Sequence, residues 1–259
     1  MAKATYKYHF FLDEAGDTTF FGKGKIPIVG TNGVSKAFMI GMAKFNTPLG
    51  EIRRQLAALQ DSVINDPYYK GVSSIEKKKA AKTGYFFHAT DDIPEVRKQV
   101  FEFIRSLDVE FEIMIGRKIP TLYMAKHNGK EAEFYADLLS HLIGNHLGDG
   151  YKIVLNIAER GAVTRNQNLQ VALQKATTRH FQKTGIVADT NVVFNEEKQT
   201  SEPLLNIIDY ALWAVQRLLQ TGEDRYYQYI GDKIILITDL YDNQTVYSPQ
   251  NPLSTENKL

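Results

Sequence analysis

The sequence predicts a mixed α/β fold built as a single domain. Apolar, strand-like segments alternate along the chain with segments of helical apolar spacing. No low-complexity linker and no internal repeat divides the 259 residues. We therefore expect one domain over 1–245, with 46–84 as a possible helical insertion and 246–259 as a disordered tail.

The N-terminal half of the chain predicts three strands and two helices. Aromatic and apolar residues, partly in alternation, indicate the strands, and apolar residues at intervals of three or four indicate the first helix. Asp92, Pro94 and Glu95 are typical of a capped helix start. The expected strands are Tyr8–Leu12, Ala37–Phe45 and Val109–Arg117, and the helices are Gly50–Val63 and one from Asp92 to about Leu107. The polar, lysine-rich residues 65–84 between them are expected to form a loop or a short, exposed helix.

The C-terminal half continues with helices and strands in turn. The same two periodicities apply, and the last long helix is strongly amphipathic. The expected helices are Glu131–Leu147, Asn166–Lys183 and Pro203–Gln220, and the strands are Lys152–Glu159, Ala188–Asn195 and Ile230–Leu240.

The composition limits the chemistry that is available. The chain has no cysteine, which excludes disulfides, thiol catalysis and cysteine metal sites and fits a reducing cytoplasm. A bound metal would depend on oxygen ligands and histidine, which favours Mg²⁺ or Mn²⁺. The net charge of +1 means that any binding of nucleic acid must use local positive charge. We expect no membrane partner and no signal peptide, since no apolar run reaches the roughly 18 residues of a membrane span.

Acidic residues stand at three places where strands and a helix could bring them together. Asp13 and Glu14 follow an apolar strand, Glu159 ends a later strand, and Asp209 lies inside the last long helix. Carboxylates at strand ends suit phosphoryl transfer by two metal ions about 3.5–4 Å apart. Each acid also has a plain structural interpretation: a turn after the first strand, an ion pair between Glu159 and Arg160, and a boundary position for Asp209.

Four further residues are candidates for contact with nucleic acid. Lys198 and Ser201 precede the helix of Asp209, where Ser201 could cap the helix or bind a phosphate at its N-terminus. Arg160 and Arg165 begin a basic stretch after Glu159 that continues to Lys183, although a solvated helix face explains that stretch as well.

The motifs FLDEAGD, FFHATDD, IAERG and SEPLLNIIDYALWAVQR occur in this order. Together, from about Tyr8 to Tyr241, they resemble the domain of unknown function 3800 family, whose members are similar to RNase H-like nucleases in fold. The resemblance implies an RNase H-like mixed central sheet flanked by helices. It also implies site roles: Asp13 as the central metal ligand, Glu14 and Asp17 at the same rim, Glu159 and Asp209 as further acids, and His88 as a proton shuttle or phosphate contact. RNase H-like sites often have aspartate where this chain has Glu159.

The sequence thus predicts a metal-dependent nuclease or a related phosphodiester-transfer enzyme. The main alternative is a non-catalytic module of a phage-defence or mobile-element system that binds nucleic acid or protein. A third interpretation is a structural subunit whose acids only form turns and caps. The choice among DNA, RNA and hybrid substrates stays open, because no residue is identifiable as a reader of the 2′-hydroxyl.

Overall fold

A computed structural model describes residues 6–82, 84–158 and 165–259 of the chain. Within this part the chain forms one mixed sheet with helices on both faces. The strands are β1 Tyr6–Ala15, β2 Ala37–Phe45, β3 Val109–Arg117, β4 Asp149–Ala158, β5 Asp189–Glu197, β6 Ile234–Asp239 and β7 Asp242–Tyr247. The helices are α1 Leu49–Asn65, α2 Ser73–Ala80, α3 Pro94–Ser106, α4 Pro120–His127, α5 Glu131–Gly144, α6 Arg165–Thr184, α7 Leu205–Thr221 and α8 Arg225–Ile230.

The strand order in the sheet is β5-β4-β1-β2-β3-β6-β7. β1, β2 and β3 pair in antiparallel fashion, whereas β1 runs parallel to β4 and β4 runs parallel to β5. β6 runs parallel to β3 on the other side, and β7 closes that edge as an antiparallel strand. The prediction of a mixed α/β fold is therefore confirmed, while the RNase H-like assignment within this class stays a prediction.

Two apolar cores lie on opposite faces of the sheet. Helices α1, α3 and α7 pack on one face, and α5 and α6 pack on the other. Glycines let a helix approach each face closely: a Cβ at Gly41 would lie 2.8 Å from Leu212 of α7, and one at Gly116 would lie 2.6 Å from Phe134 of α5. Strand residues alternate between the two cores, as the pleat of a strand requires.

Helix α7 is the central helix of the first core. Almost every residue from Leu205 to Val215 is buried, so the helix is enclosed on nearly all sides rather than amphipathic at a surface. Gly222 ends it in the left-handed conformation, with φ of 77°, that favours glycine at this position. A polar side chain in the first half of α7 is consequently delivered into the interior of the protein.

Short elements account for most differences from the sequence prediction. Helices α4 and α8 and the polar edge strand β7 are additional elements. The tail is packed instead of disordered, because Leu253 is buried and its N–H donates to the hydroxyl of Tyr227 at 3.0 Å. None of the helices in the described part of the chain has the length and apolar character that crossing a membrane requires.

The predicted caps of two helices are wrong. The N-cap of α3 is Ile93, not Asp92, and the N-cap of α7 is Leu204, not Ser201. Neither position has a side-chain capping hydrogen bond. Asp92 and Ser201 instead form other hydrogen bonds, because both stand in turns that precede the helices.

Candidate active site

The candidate site lies where β1 and β4 run side by side in the sheet. The chain continues from β1 to β2 on one side of this pair, and from β4 to β5 on the other. In open α/β sheets such a switch in strand order leaves a crevice at the carboxyl ends of the two strands, where ligands bind. Leu12 of β1 pairs with Ile157 of β4, so Asp13 follows directly at this crevice.

Asp13 is the buried carboxylate of the first strand. It is 8% exposed and lies on the face that α7 covers. Its Oδ1 accepts a hydrogen bond from the N–H of Glu14 at 2.8 Å, and its Oδ2 accepts one from the side-chain amide of Gln199 at 2.9 Å. Burial raises the pKa of Asp13 above its ordinary value, and the nearby carboxylate of Asp209 raises that pKa further.

Asp209 approaches the same place from helix α7. Its side chain is 13% exposed, and its Oδ2 accepts a hydrogen bond from the N–H of Ala89 at 2.7 Å. Burial raises its pKa, and the Ala89 N–H lowers the pKa without outweighing that effect. Asp13 and Asp209 are thus two neighbouring carboxyl groups, one buried and one largely buried, that both retain protons more strongly than exposed ones. A cation between them would reverse this preference, because opposite charge favours the ionised form.

The segment FFHATDD packs on α7 through its backbone. Three consecutive N–H groups donate to buried side chains: Phe87 to Asn206 at 3.2 Å, His88 to Asp92 at 2.8 Å and Ala89 to Asp209 at 2.7 Å. A buried backbone without helix or strand partners must find such acceptors. The sequence motif therefore has a structural cause, since its backbone is fixed by side chains of α7 and by its own Asp92.

A buried ion pair between Asp92 and Lys78 stabilises this segment. The carboxylate of Asp92 accepts hydrogen bonds from Lys78 Nζ and from the hydroxyl of Tyr210, each at 2.6 Å. The side chains of Asp92 and Lys78 are 1% and 10% exposed. The lysine-rich residues 65–84 were expected to be exposed. This expectation is wrong for Lys78, because its side chain is 10% exposed and neutralises the buried carboxylate of Asp92.

His88 is the partly exposed member of the motif. Its Nε2 lies 3.9 Å from Oδ1 of Asp209, and its Nδ1 lies 3.3 Å from Oδ2 of Asp91. The side chain is 32% exposed, so His88 borders the carboxylate pair and remains accessible to solvent. This position suits exchange of a proton with a ligand at the site.

Glu14 and Asp17 lie apart from the carboxylate pair. Glu14 points to the opposite face of the sheet, where its Oε1 accepts a hydrogen bond from the hydroxyl of Tyr135 of α5 at 2.8 Å. Asp17 binds the N–H and the hydroxyl of Ser35 and the ammonium of the buried Lys118. Burial would raise the pKa of Asp17, but these hydrogen bonds lower it to about 2. The metal role of Asp17 and the catalytic role of Glu14 stay predictions with no supporting geometry.

Of the four predicted contacts to nucleic acid, the structure describes the side chains of Lys198 and Ser201. Lys198 is exposed directly after β5, and its carbonyl accepts hydrogen bonds from the N–H and the hydroxyl of Ser201, each at 3.0 Å. Glu159 and Arg160 lie outside the described residues. Arg165 is the first residue of α6, and its side chain is outside the description as well.

The donor set is compatible with a hard divalent cation. Mg²⁺ is commonly held by one or two carboxylates, with water and substrate phosphates as its other ligands. Asp13 and Asp209 supply two carboxylates. No cluster of three or more histidine or acidic residues that could hold a metal occurs within residues 6–82, 84–158 and 165–259. A cation held by this pair would have two protein carboxylates and would take its remaining ligands from water and substrate.

Two amide residues of the site were not predicted from the sequence. The side-chain amide of Gln199 donates to Asp13, and the backbone carbonyl of Gln199 accepts a hydrogen bond from the side chain of Asn206 at 3.1 Å. Asn206 is fully buried and also accepts the N–H of Phe87. An asparagine three residues before Asp209, in a helix that is otherwise apolar, was the available signal.

Comparison with known proteins adds no relative. No protein-family model matches the chain, and no curated protein matches it significantly. The resemblance to the domain of unknown function 3800 family accordingly stays a prediction, and the functional case depends on the geometry of Asp13, Asp209 and His88.

Proposed function

We propose that the chain is a divalent-metal-dependent nuclease, or a related phosphodiester-transfer enzyme, that acts on nucleic acid. The observation that carries this proposal is the pair of carboxyl groups at the switch in strand order, Asp13, which is buried, and Asp209, whose side chain is 13% exposed. Buried acids of raised pKa in a crevice are typical of functional sites. Asp209 disfavours ionisation of Asp13, so an opposite charge at this place would favour the ionised form of Asp13.

Asp13 and Asp209 would hold the cation, which would supply Lewis-acid polarisation of a phosphoryl oxygen. Their orientation is fixed by the protein. Gln199 holds Oδ2 of Asp13, and the Ala89 N–H holds Oδ2 of Asp209, which leaves Oδ1 of Asp209 facing His88. Carboxylates fixed in this way lose little conformational entropy when a ligand binds.

His88 is the residue that we assign to proton exchange. An imidazole can accept or donate a proton, and Nε2 of His88 lies 3.9 Å from Oδ1 of Asp209. Its partial exposure lets a substrate oxygen or a water molecule reach the ring. The backbone hydrogen bond to Asp92 fixes the position of the histidine relative to α7.

Local cations support a nucleic acid as the substrate. Lys198 is exposed and is adjacent in the chain to Gln199, whose side chain binds Asp13. The net charge of the whole chain is only +1, so the positive potential that attracts a phosphate backbone must come from local cations such as Lys198.

The test is a cleavage panel with Mg²⁺ and Mn²⁺ on single-stranded DNA, duplex DNA, RNA and an RNA–DNA hybrid. We expect metal-dependent cleavage of at least one substrate by the wild type, and none by Asp13→Asn. Glu14→Gln is the matched control, because it removes the adjacent charge on the opposite face of the strand and should keep cleavage. Equal cleavage by wild type and Asp13→Asn would overturn the proposal. Binding without turnover, indifferent to Mg²⁺, would favour the non-catalytic module.

A further inference from the structure

A polar cavity lies on the sheet face opposite to Asp13, between α5 and α6. Its volume is about 440 Å³, within the range of small-ligand sites. His141 of α5 and Arg179, His180 and Lys183 of α6 line it, and none of its lining residues is acidic. Four groups that are cationic or can become so therefore face one concave space.

Asp137, the acid whose charge acts on His141, is already paired. Arg179 donates hydrogen bonds to Oδ1 of Asp137 and to the hydroxyl of Ser140. Burial lowers the pKa of His141, and the charges of Arg179 and Lys175 lower it further against the opposing effect of Asp137. The cavity consequently lies in a positive field that Asp137 only partly cancels.

Helix dipoles explain part of this arrangement. Cations are stabilised in the last turn of a helix, and His141 and Lys183 occupy the last turns of α5 and α6. That effect acts on each helix separately. It does not require the basic residues of two helices to converge on one cavity, nor does it account for His180 and Arg179 one turn earlier.

We propose that this cavity binds a phosphate group, carried either by a free phosphate compound or by a nucleic-acid backbone. Lys183 and the two imidazoles would donate hydrogen bonds to the phosphate oxygens, and Arg179 would add positive charge from its fixed position. The site is independent of the proposed nuclease site. Helices α5 and α6 cover the sheet face opposite to the face of Asp13.

The test is a titration of the full chain with inorganic phosphate in chelator, at constant ionic strength, followed by NMR of the histidine rings. The chain has six histidines, so single variants can assign the signals. We expect saturable shifts confined to His141 and His180, with a dissociation constant on the order of 1 mM. Uniform shifts of all histidines, or no saturation with inorganic phosphate or with a short oligonucleotide, would overturn the proposal.

Charge reversal provides the matched comparison. Lys183→Glu should weaken phosphate binding by about fivefold or more, whereas Lys98→Glu, an exposed reversal on α3, should change it by less than about twofold. Equal effects of the two variants would refute the site. If Lys183→Glu lowers thermal stability, His180→Gln replaces it as the test of binding.

The same titration separates the two sources of phosphate. A short oligonucleotide without terminal phosphate is added in place of inorganic phosphate. Shifts of His141 and His180 that Lys183→Glu abolishes would assign the site to a nucleic-acid backbone. Shifts with inorganic phosphate alone would assign it to a free phosphate compound.

Discussion

The ion pair between Asp92 and Lys78 makes a sharp prediction about what holds the histidine segment on α7. Asp92→Asn keeps the shape of the side chain and removes its charge. It leaves the ammonium of Lys78 largely buried without its paired carboxylate. The change also replaces one carboxylate oxygen, which accepts hydrogen bonds, by an NH₂ group, which donates them. This NH₂ would face a group that donates to Asp92 in the wild type, such as the His88 N–H or the Tyr210 hydroxyl.

The expected loss of stability follows from this geometry. Removing one partner of a buried ion pair costs about 3–5 kcal/mol. Lys78 keeps one acceptor, the carbonyl of Phe86 at 3.2 Å, and its side chain is 10% exposed. We therefore expect the lower end, about 3 kcal/mol, which is a large fraction of the 5–15 kcal/mol typical of a folded protein.

The assay is urea unfolding, followed by circular dichroism and by the fluorescence of Trp213, the single tryptophan, which lies on α7. Asp91→Asn is the matched control. It removes the same charge one residue earlier, at a side chain that is 59% exposed, and should change stability by less than about 0.5 kcal/mol. Similar transition midpoints and slopes for the two variants would show that the Asp92 pair does not hold the segment.

Three other changes test separate parts of the structure. Gly41→Ala places a Cβ 2.8 Å from Leu212 and should cost about 1–3 kcal/mol in thermal unfolding; a neutral result would contradict the close packing of α7 on β2. The pKa of Asp17 is lowered on folding, so its contribution to stability should be present above pH 4 and disappear as the pH falls towards 2; Asp17→Asn should lose this pH dependence. The pKa of Asp13 is raised on folding, so the metal-free wild type should lose stability as the pH rises from about 4 through the raised value. In chelator, Asp13→Asn should gain stability relative to wild type between pH 5 and pH 8, and an unchanged difference would mean that Asp13 is not a desolvated acid beside Asp209.

The sequence was sufficient for most of the sheet and the long helices. The bounds of β2 and β3 were predicted without error, because each is a continuous apolar or alternating run between turn residues. Helix α8 has six residues and β7 is largely polar, so neither carries a periodic apolar signal that could be read from the chain alone. The strand order also depends on contacts between segments that are far apart in the sequence.

The site was only partly predictable. Alternation along β1 already implies that Asp13 and Glu14 face opposite sides of the sheet, and this consequence was missed. Helical spacing placed Asp209 at the edge of an apolar face, whereas α7 is buried almost all round and carries Asp209 into the core. The partners Gln199 and Ala89 depend on tertiary packing, which no local pattern records.

The most direct test of the central claim is a calorimetric titration of Mn²⁺ into the chelator-stripped full chain. The carboxylate pair predicts saturable binding by the wild type, binding retained in Glu14→Gln, and binding strongly weakened in both Asp13→Asn and Asp209→Asn, because each variant removes one of the two carboxylates. Equal Mn²⁺ binding by all four proteins, or no binding by the wild type, would contradict a metal site at Asp13 and Asp209.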